Sequence, residues 1–336
     1  MRCLTSQIFI SLAILGVAGS LHAQDSPAGA MQSRPHRTAQ MISVADGVQL
    51  EVLDWGGTGR PLILLTGLGN QARVFDKFAS DLSARYHVYG ITRRGFGNSS
   101  APQPDATNYT VARLGEDVIA VIDALHLNKP IVAGHSIAGE ELSYIAVHHP
   151  EKVAGLIYLD AGYPYALYDE ANGVLIMDAV ELRDQLLQLT EDSAADPLKY
   201  LDDLKASLQR VDKEVAQERQ DMQGMPPQPP NAEKVPPIQS AILNGVEKFT
   251  TFRVPALVIF ADPHDLSSEF KDDPKTQAVM QASDTRNTER QASAFERQVP
   301  SAHVVRIPNA DHYVFQSNEA DVLREMNNFI GTLPQE

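Results

Sequence analysis

A chain of 336 residues that is 43% hydrophobic has enough apolar side chain for one large α/β domain with an insertion, or for two small domains. Its formal charge of −15 disfavours nucleic acid and anionic membrane surfaces as partners. The single cysteine, Cys3, excludes disulfide stapling, thiolate metal sites and a cysteine nucleophile anywhere beyond the first residues.

Met1-Arg2-Cys3-Leu4 opens the chain, and an uncharged apolar stretch runs from Ile8 to Val17. Ser20-Leu21-His22-Ala23-Gln24 follows, the layout of a secretory signal cut after Ala23. The apolar stretch is short for a membrane span and no other run is long enough. The expected mature protein is therefore soluble and exported, periplasmic or secreted. Residues 24–40 are polar and rich in Ser, Ala and Pro and read as a flexible leader, so the folded part is expected from Met41. Met41 to Asp54 holds two strand-like runs around Asp46-Gly47, a hairpin signal. Leu62–Leu65, Tyr86–Ile91, Ile131–Ala133, Leu156–Leu159, Ala256–Phe260 and Val304–Ile307 are continuous apolar runs of the kind buried on both faces of a parallel sheet. Val111, Leu114, Val118, Ile122 and Leu125 recur at helical spacing between them, as do Val322, Met326, Phe329 and Ile330. Eight strands alternating with helices imply an α/β fold, a mostly parallel eight-stranded sheet with helices on both faces. The alternation stops between Tyr163 and Arg253. There, Leu198, Leu201, Leu204, Leu208, Val211 and Val215 make an amphipathic stripe expected to be the core of a helical insertion. The expected division is a core of residues 41–163 and 253–336 and a helical cap of residues 164–252.

The chemistry concentrates where strands end. Ile131-Val132-Ala133-Gly134-His135-Ser136-Ile137-Ala138-Gly139 is an apolar run that closes on Gly-x-Ser-x-small and turns amphipathic. A serine hydroxyl is a poor nucleophile unless it stands clear on a tight strand-to-helix turn beside a base, and Gly134 and Ala138 leave room for that turn. Leu64-Leu65-Thr66-Gly67-Leu68-Gly69-Asn70 carries a strand end into a glycine-rich loop. The amides of Leu68 and of Ile137, the residue after the serine, are candidate oxyanion donors. Pro308-Asn309-Ala310-Asp311-His312 follows the last strand and offers His312 as general base. The carboxylate that would orient it has three candidates at strand ends: Asp265 first, Asp160 as the alternative, and Asp262. His135 reads as packing beside the site, and Arg93 and Arg94 as loop braces. Nothing in the pattern calls for a metal or an organic cofactor.

Gly134–Gly139, Thr92-Arg93-Arg94-Gly95-Phe96-Gly97-Asn98-Ser99 and the loop at His312 together resemble the α/β-hydrolase superfamily, and within it capped serine esterases and lipases. The resemblance covers nearly all of the chain from Met41 onward except the insertion. It implies the α/β-hydrolase fold and a serine hydrolase acting on a small-molecule ester or lactone through an acyl-enzyme. Haloalkane dehalogenases and epoxide hydrolases share the resemblance but place an aspartate where this chain has Ser136. Two departures stand out. Thr66 replaces a histidine that many members carry before the oxyanion glycine, and Asp265 falls one residue later than the family spacing after its strand. Amidases, aminopeptidases, carbon–carbon bond hydrolases and a non-catalytic ligand-binding member remain open.

Overall fold

The computed structural model describes residues 37–105, 107–189, 196–223, 234–267, 270 and 273–334. The expected signal at 1–23 and residues 24–36 of the expected leader lie outside the described residues.

One sheet is built from β1 Thr38–Ala45, β2 Val48–Gly56, β3 Pro61–Leu65, β4 His87–Ile91, β5 Ile131–His135, β6 Gly155–Leu159, β7 Ala256–Ala261 and β8 Ala302–Ile307. The spatial order is β1-β2-β4-β3-β5-β6-β7-β8. β2 runs antiparallel to both β1 and β4, and the remaining pairings are parallel. Gly47 at φ +69° makes the β1–β2 turn, as the Asp-Gly pair requires. β1 begins three residues before the expected Met41, because Thr38, Ala39 and Gln40 pair with Asp54, Leu53 and Val52. Ladder bonds there recruit residues whose composition reads as leader.

Every residue of β5, β6 and β7 is buried, and successive side chains go to opposite faces. Val132, Leu156, Tyr158 and Val258 enter one apolar layer, and Ile131, Ala133, Ile157 and Leu257 enter the other. The first layer is closed by α2 Val111–Ala124, α3 Gly139–His148 and α7 Pro274–Gln298. The second is closed by α1 Asp76–Leu82, the short α8 Val314–Ser317 and α9 Glu319–Thr332. Each buried Leu, Ile or Val side chain contributes about 1.5–3 kcal/mol to this arrangement. α2 starts where Thr110 accepts the Arg113 amide, and it turns Val111, Leu114, Val118 and Ile122 inward as their spacing demands.

Among the described residues, three helices lie between β6 and β7: α4 Leu175–Gln188, α5 Pro197–Asp221 and α6 Pro237–Leu243. The leucine stripe of α5 does not form their core. Leu198 is 77% exposed, and Leu201, Leu208 and Val215 also face outward. The buried positions of α5 are Leu204, Ser207 and Glu214, a polar-rich line that meets α4 around Asp178. The Asp178 carboxylate accepts from Tyr168 Oη, Lys248 Nζ and Arg210 Nη1, so charge as well as apolar area ties this segment down. No described helix is long and apolar enough to cross a membrane.

Candidate active site

The turn after β5 puts Ser136 at φ +54°, a left-handed conformation that costs a residue with a side chain about 1–3 kcal/mol. Close packing on both flanks holds it there. A Cβ on Gly134 would sit 2.9 Å from the Ala138 Cβ, and one on Gly139 would sit 2.0 Å from the Ala161 carbonyl oxygen. Ala138 thus serves where the superfamily pattern has glycine, provided its neighbour at 134 has no side chain.

His312 arrives from the far edge. The chain leaves β8, turns at Asn309 with φ +56°, and delivers the imidazole so that Nε2 lies 2.9 Å from Ser136 Oγ. On its other side, Nδ1 lies 2.7 Å from Oδ2 of Asp160, at the end of β6. An ionised carboxylate only accepts, so this contact places the ring proton on Nδ1 and leaves the Nε2 lone pair facing the serine hydroxyl. Asp160 is itself turned by a positive φ, +46°. Its Oδ1 accepts from the Ala261 amide at 3.0 Å and the Tyr163 hydroxyl at 3.0 Å. Oδ2 is shared with Nε2 of His264 at 2.8 Å. Burial by itself would raise the Asp160 carboxyl, but the His264 charge and the hydrogen bonds from His264 and His312 outweigh it and hold the group well below the usual range.

The structure therefore corrects the first choice of acid. Asp265 is exposed, and its carboxylate accepts the Ser267 amide 2.9 Å away instead of an imidazole. Asp262 lies beside Arg306 at 3.7 Å. The inward place after β7 belongs to His264, bonded on one side to Asp160 and on the other, through Nδ1, to Asp284 of α7 at 3.0 Å. His264, Asp284 and Tyr163 are site residues that no spacing rule had marked. The only hint was the run Asp262-Pro263-His264-Asp265, with a histidine among aspartates at a strand end. Asp160, His264 and His312 also bring ligand-type atoms within 4.8 Å of one another. Each histidine is hydrogen-bonded to Asp160 through one ring nitrogen.

The candidate oxyanion loop lies directly against Ser136, since a Cβ on Gly67 would be 3.3 Å from the Ser136 Cβ and 2.7 Å from His135 Nδ1. Arg93 braces the loop from below. It donates to the Thr66 carbonyl at 2.9 Å and makes a two-pronged pair with Glu141 of α3, Nε to Oε1 at 2.9 Å and Nη2 to Oε2 at 2.5 Å. His135 donates from Nε2 to the His312 carbonyl at 2.9 Å, which anchors the His312 backbone. Its burial and the neighbouring His312 push the His135 imidazole down to about 3, so it stays neutral. Leu68 and Ile137 share an apolar cluster with Ile238 and Ile242 of α6, so α6 reaches the loop that carries Leu68. Tyr165 lies at the same place, its phenol within interaction range of the Ser136 hydroxyl. Among the described residues neither oxygen of the buried Glu140 has a hydrogen-bond partner, and burial beside Glu141 pushes its carboxyl well up.

A family model described as "Alpha/beta hydrolase family" matches residues 62–325. The RutD protein of Caulobacter segnis, whose name gives a carbamate hydrolase, is 33% identical over 116 residues, 34% of this chain and 43% of RutD. A fluoroacetate dehalogenase from a Burkholderia species is 29% identical over 119 residues, 35% of this chain and 39% of its own length. The chain thus spans less than half the length of these relatives. Among solved structures, an epoxide hydrolase from Vigna radiata is similar with a TM-score of 0.57 at 16% identity, over 90% of this chain and 99% of that one, a likeness of fold.

Proposed function

The chain belongs to the alpha/beta hydrolase family, and we propose that within it the protein is a serine hydrolase cleaving a carboxylic ester or lactone through an acyl-enzyme. The observation that carries this reading is the file of hydrogen bonds from Ser136 Oγ to His312 Nε2 at 2.9 Å and from His312 Nδ1 to Asp160 Oδ2 at 2.7 Å. In the proposed reaction His312 Nε2 takes the hydroxyl proton as Oγ attacks the substrate carbonyl carbon. The amides of Leu68 and Ile137 stabilise the oxyanion, and Asp160 stabilises the imidazolium. The same proton passes to the leaving alkoxide as the ester bond breaks. A water, deprotonated by His312, then attacks the acyl carbon, and the acid product leaves with Ser136 restored. Ser136 separates this chemistry from the aspartate mechanism of dehalogenases and epoxide hydrolases.

We read α4, α5 and α6 as a cap over the pocket, a reading supported by the packing of α6 on Leu68 and Ile137. The mature protein is proposed to be exported and to begin at or near Gln24, which N-terminal sequencing of protein from its native host checks. The decisive experiment is labelling with a fluorophosphonate. It should modify Ser136 stoichiometrically in the wild type and not in Ser136→Ala, whose turnover should fall on the order of 10⁴- to 10⁶-fold. Labelling elsewhere, or an active alanine variant, refutes the reading. A panel of p-nitrophenyl esters of rising chain length, with lactones, carbamates and amides, then separates ester hydrolysis from its acyl-transfer relatives.

A further inference from the structure

His264 plays no part in the scheme above, yet it is buried in contact with the acid on which the scheme depends. It is 8% exposed, with Nε2 at 2.8 Å from Asp160 and Nδ1 at 3.0 Å from Asp284. A neutral imidazole carries one proton, and so would turn a lone pair toward one of these two carboxylates. Two carboxylate acceptors, one at each nitrogen, are satisfied together only by the doubly protonated ring. We propose that His264 is a positioning residue that carries both ring protons and joins Asp284 to Asp160, so that Asp160 is held from one side while it orients His312 from the other. The ionisable groups facing His264 are Asp160 and Tyr163 from the end of β6, Asp262 from the end of β7, Asp284 from α7, and His312. Burial alone would lower the His264 imidazole, but Asp160 and Asp284 outweigh it and raise it to about 11.

The consequence is electrostatic as well as geometric. The ring centroids of His264 and His312 are 6.3 Å apart, and both imidazoles share one oxygen of Asp160. A fixed cation at that distance opposes a second positive charge on His312 by direct Coulomb repulsion. Deleting the cation should move the acid limb of the reaction upward by roughly one to two pH units, from Coulomb's law at an effective dielectric of about 20. A merely structural role would lower the melting temperature or the rate and leave the limb where it is.

The kinetic arm rests on the serine-hydrolase reading and the spectroscopic arm does not. Nitrogen-15 NMR of the wild-type protein should show both His264 ring nitrogens protonated from about pH 6 to about pH 9. The rate of fluorophosphonate labelling should have its acid midpoint one to two units higher in His264→Gln, which keeps a donor for Asp160 but no charge. A singly protonated His264 at about pH 8 overturns the proposal, and so does an unmoved midpoint in a folded His264→Gln. Should that variant fail to fold, the wild-type spectrum decides alone. Should the wild type not be labelled, the hydrolase reading fails and the spectrum still decides where the protons are.

Discussion

Asp160→Asn should reduce kcat/KM for an ester substrate about 10⁴-fold while the protein stays folded. Part of this is charge. An imidazolium about 4 Å from a carboxylate gains about 4 kcal/mol at an effective dielectric of about 20, or roughly three decades of rate. The rest comes from the hydrogen-bond inventory. Both oxygens of Asp160 act only as acceptors, Oδ1 for the Ala261 amide and Tyr163 and Oδ2 for the two imidazoles. Asparagine has one acceptor oxygen. The Ala261 amide belongs to the β7 backbone and cannot rotate away, so the side-chain oxygen stays with it and the NH₂ group turns toward His312 Nδ1. That forces the ring proton onto Nε2, where it faces the Ser136 hydroxyl and the base is lost. Asp265→Asn, which alters only an exposed turn, should stay within a few-fold of wild type and within about 0.5 kcal/mol in stability. Steady-state kinetics with p-nitrophenyl acetate and thermal melts of both variants check this. Retention of a tenth or more of activity in a folded Asp160→Asn, or a comparable loss in Asp265→Asn, refutes the assignment.

Arg93→Ala leaves the buried Glu141 carboxylate unpaired and the Thr66 carbonyl without its donor, so a loss of about 3–5 kcal/mol is expected in urea unfolding. On α5, Leu201→Gln should change stability by less than about 0.5 kcal/mol because Leu201 faces solvent. Leu204→Ala should cost about 2 kcal/mol or more; equal costs would restore the leucine stripe as a core. Burial and the neighbouring Asp178 raise the Glu214 carboxyl to about 8, above its usual 4.5, so the folded state binds more protons than the unfolded one between those values. Stability should therefore fall as pH rises from about 4.5 to about 8, and Glu214→Gln should flatten that slope in melting curves and raise the melting temperature at the alkaline end.

Continuous apolar runs became strands and 3.6-residue spacings became helices wherever one face had a single partner to choose. That is why the sheet and α2 were legible from pattern. The stripe of α5 misled because amphipathicity says which side chains share a face, and not that the face is covered. Its polar line, buried Ser207 and a Glu214 that lies beside Asp178, won the interior. That Ser136 and His312 would meet could be read from the two local turns that carry them, and they lie 2.9 Å apart.

Which carboxylate meets His312 was not legible, because a carboxylate at a strand end looks the same whether it serves a neighbouring imidazole or its own loop. What distinguishes Asp160 is strand order. β6 lies between β5, which carries Ser136, and β7, with β8 and His312 one strand further. Asp160 follows Leu159, which is level with His135 on one side and Ile259 on the other, and its amide bonds to the Ile259 carbonyl. It therefore stands midway along the line from Ser136 to His312, and its positive φ turns the backbone at that point. A carboxylate after β7 would stand nearer the base, but there His264 already fills the gap, and Asp265 is carried outward with its amide on Ala310. Sequence spacing alone placed Asp265 one residue late. In three dimensions that single residue separates an inward imidazole from an outward carboxylate, and the carboxylate that touches His312 is the one on the middle strand.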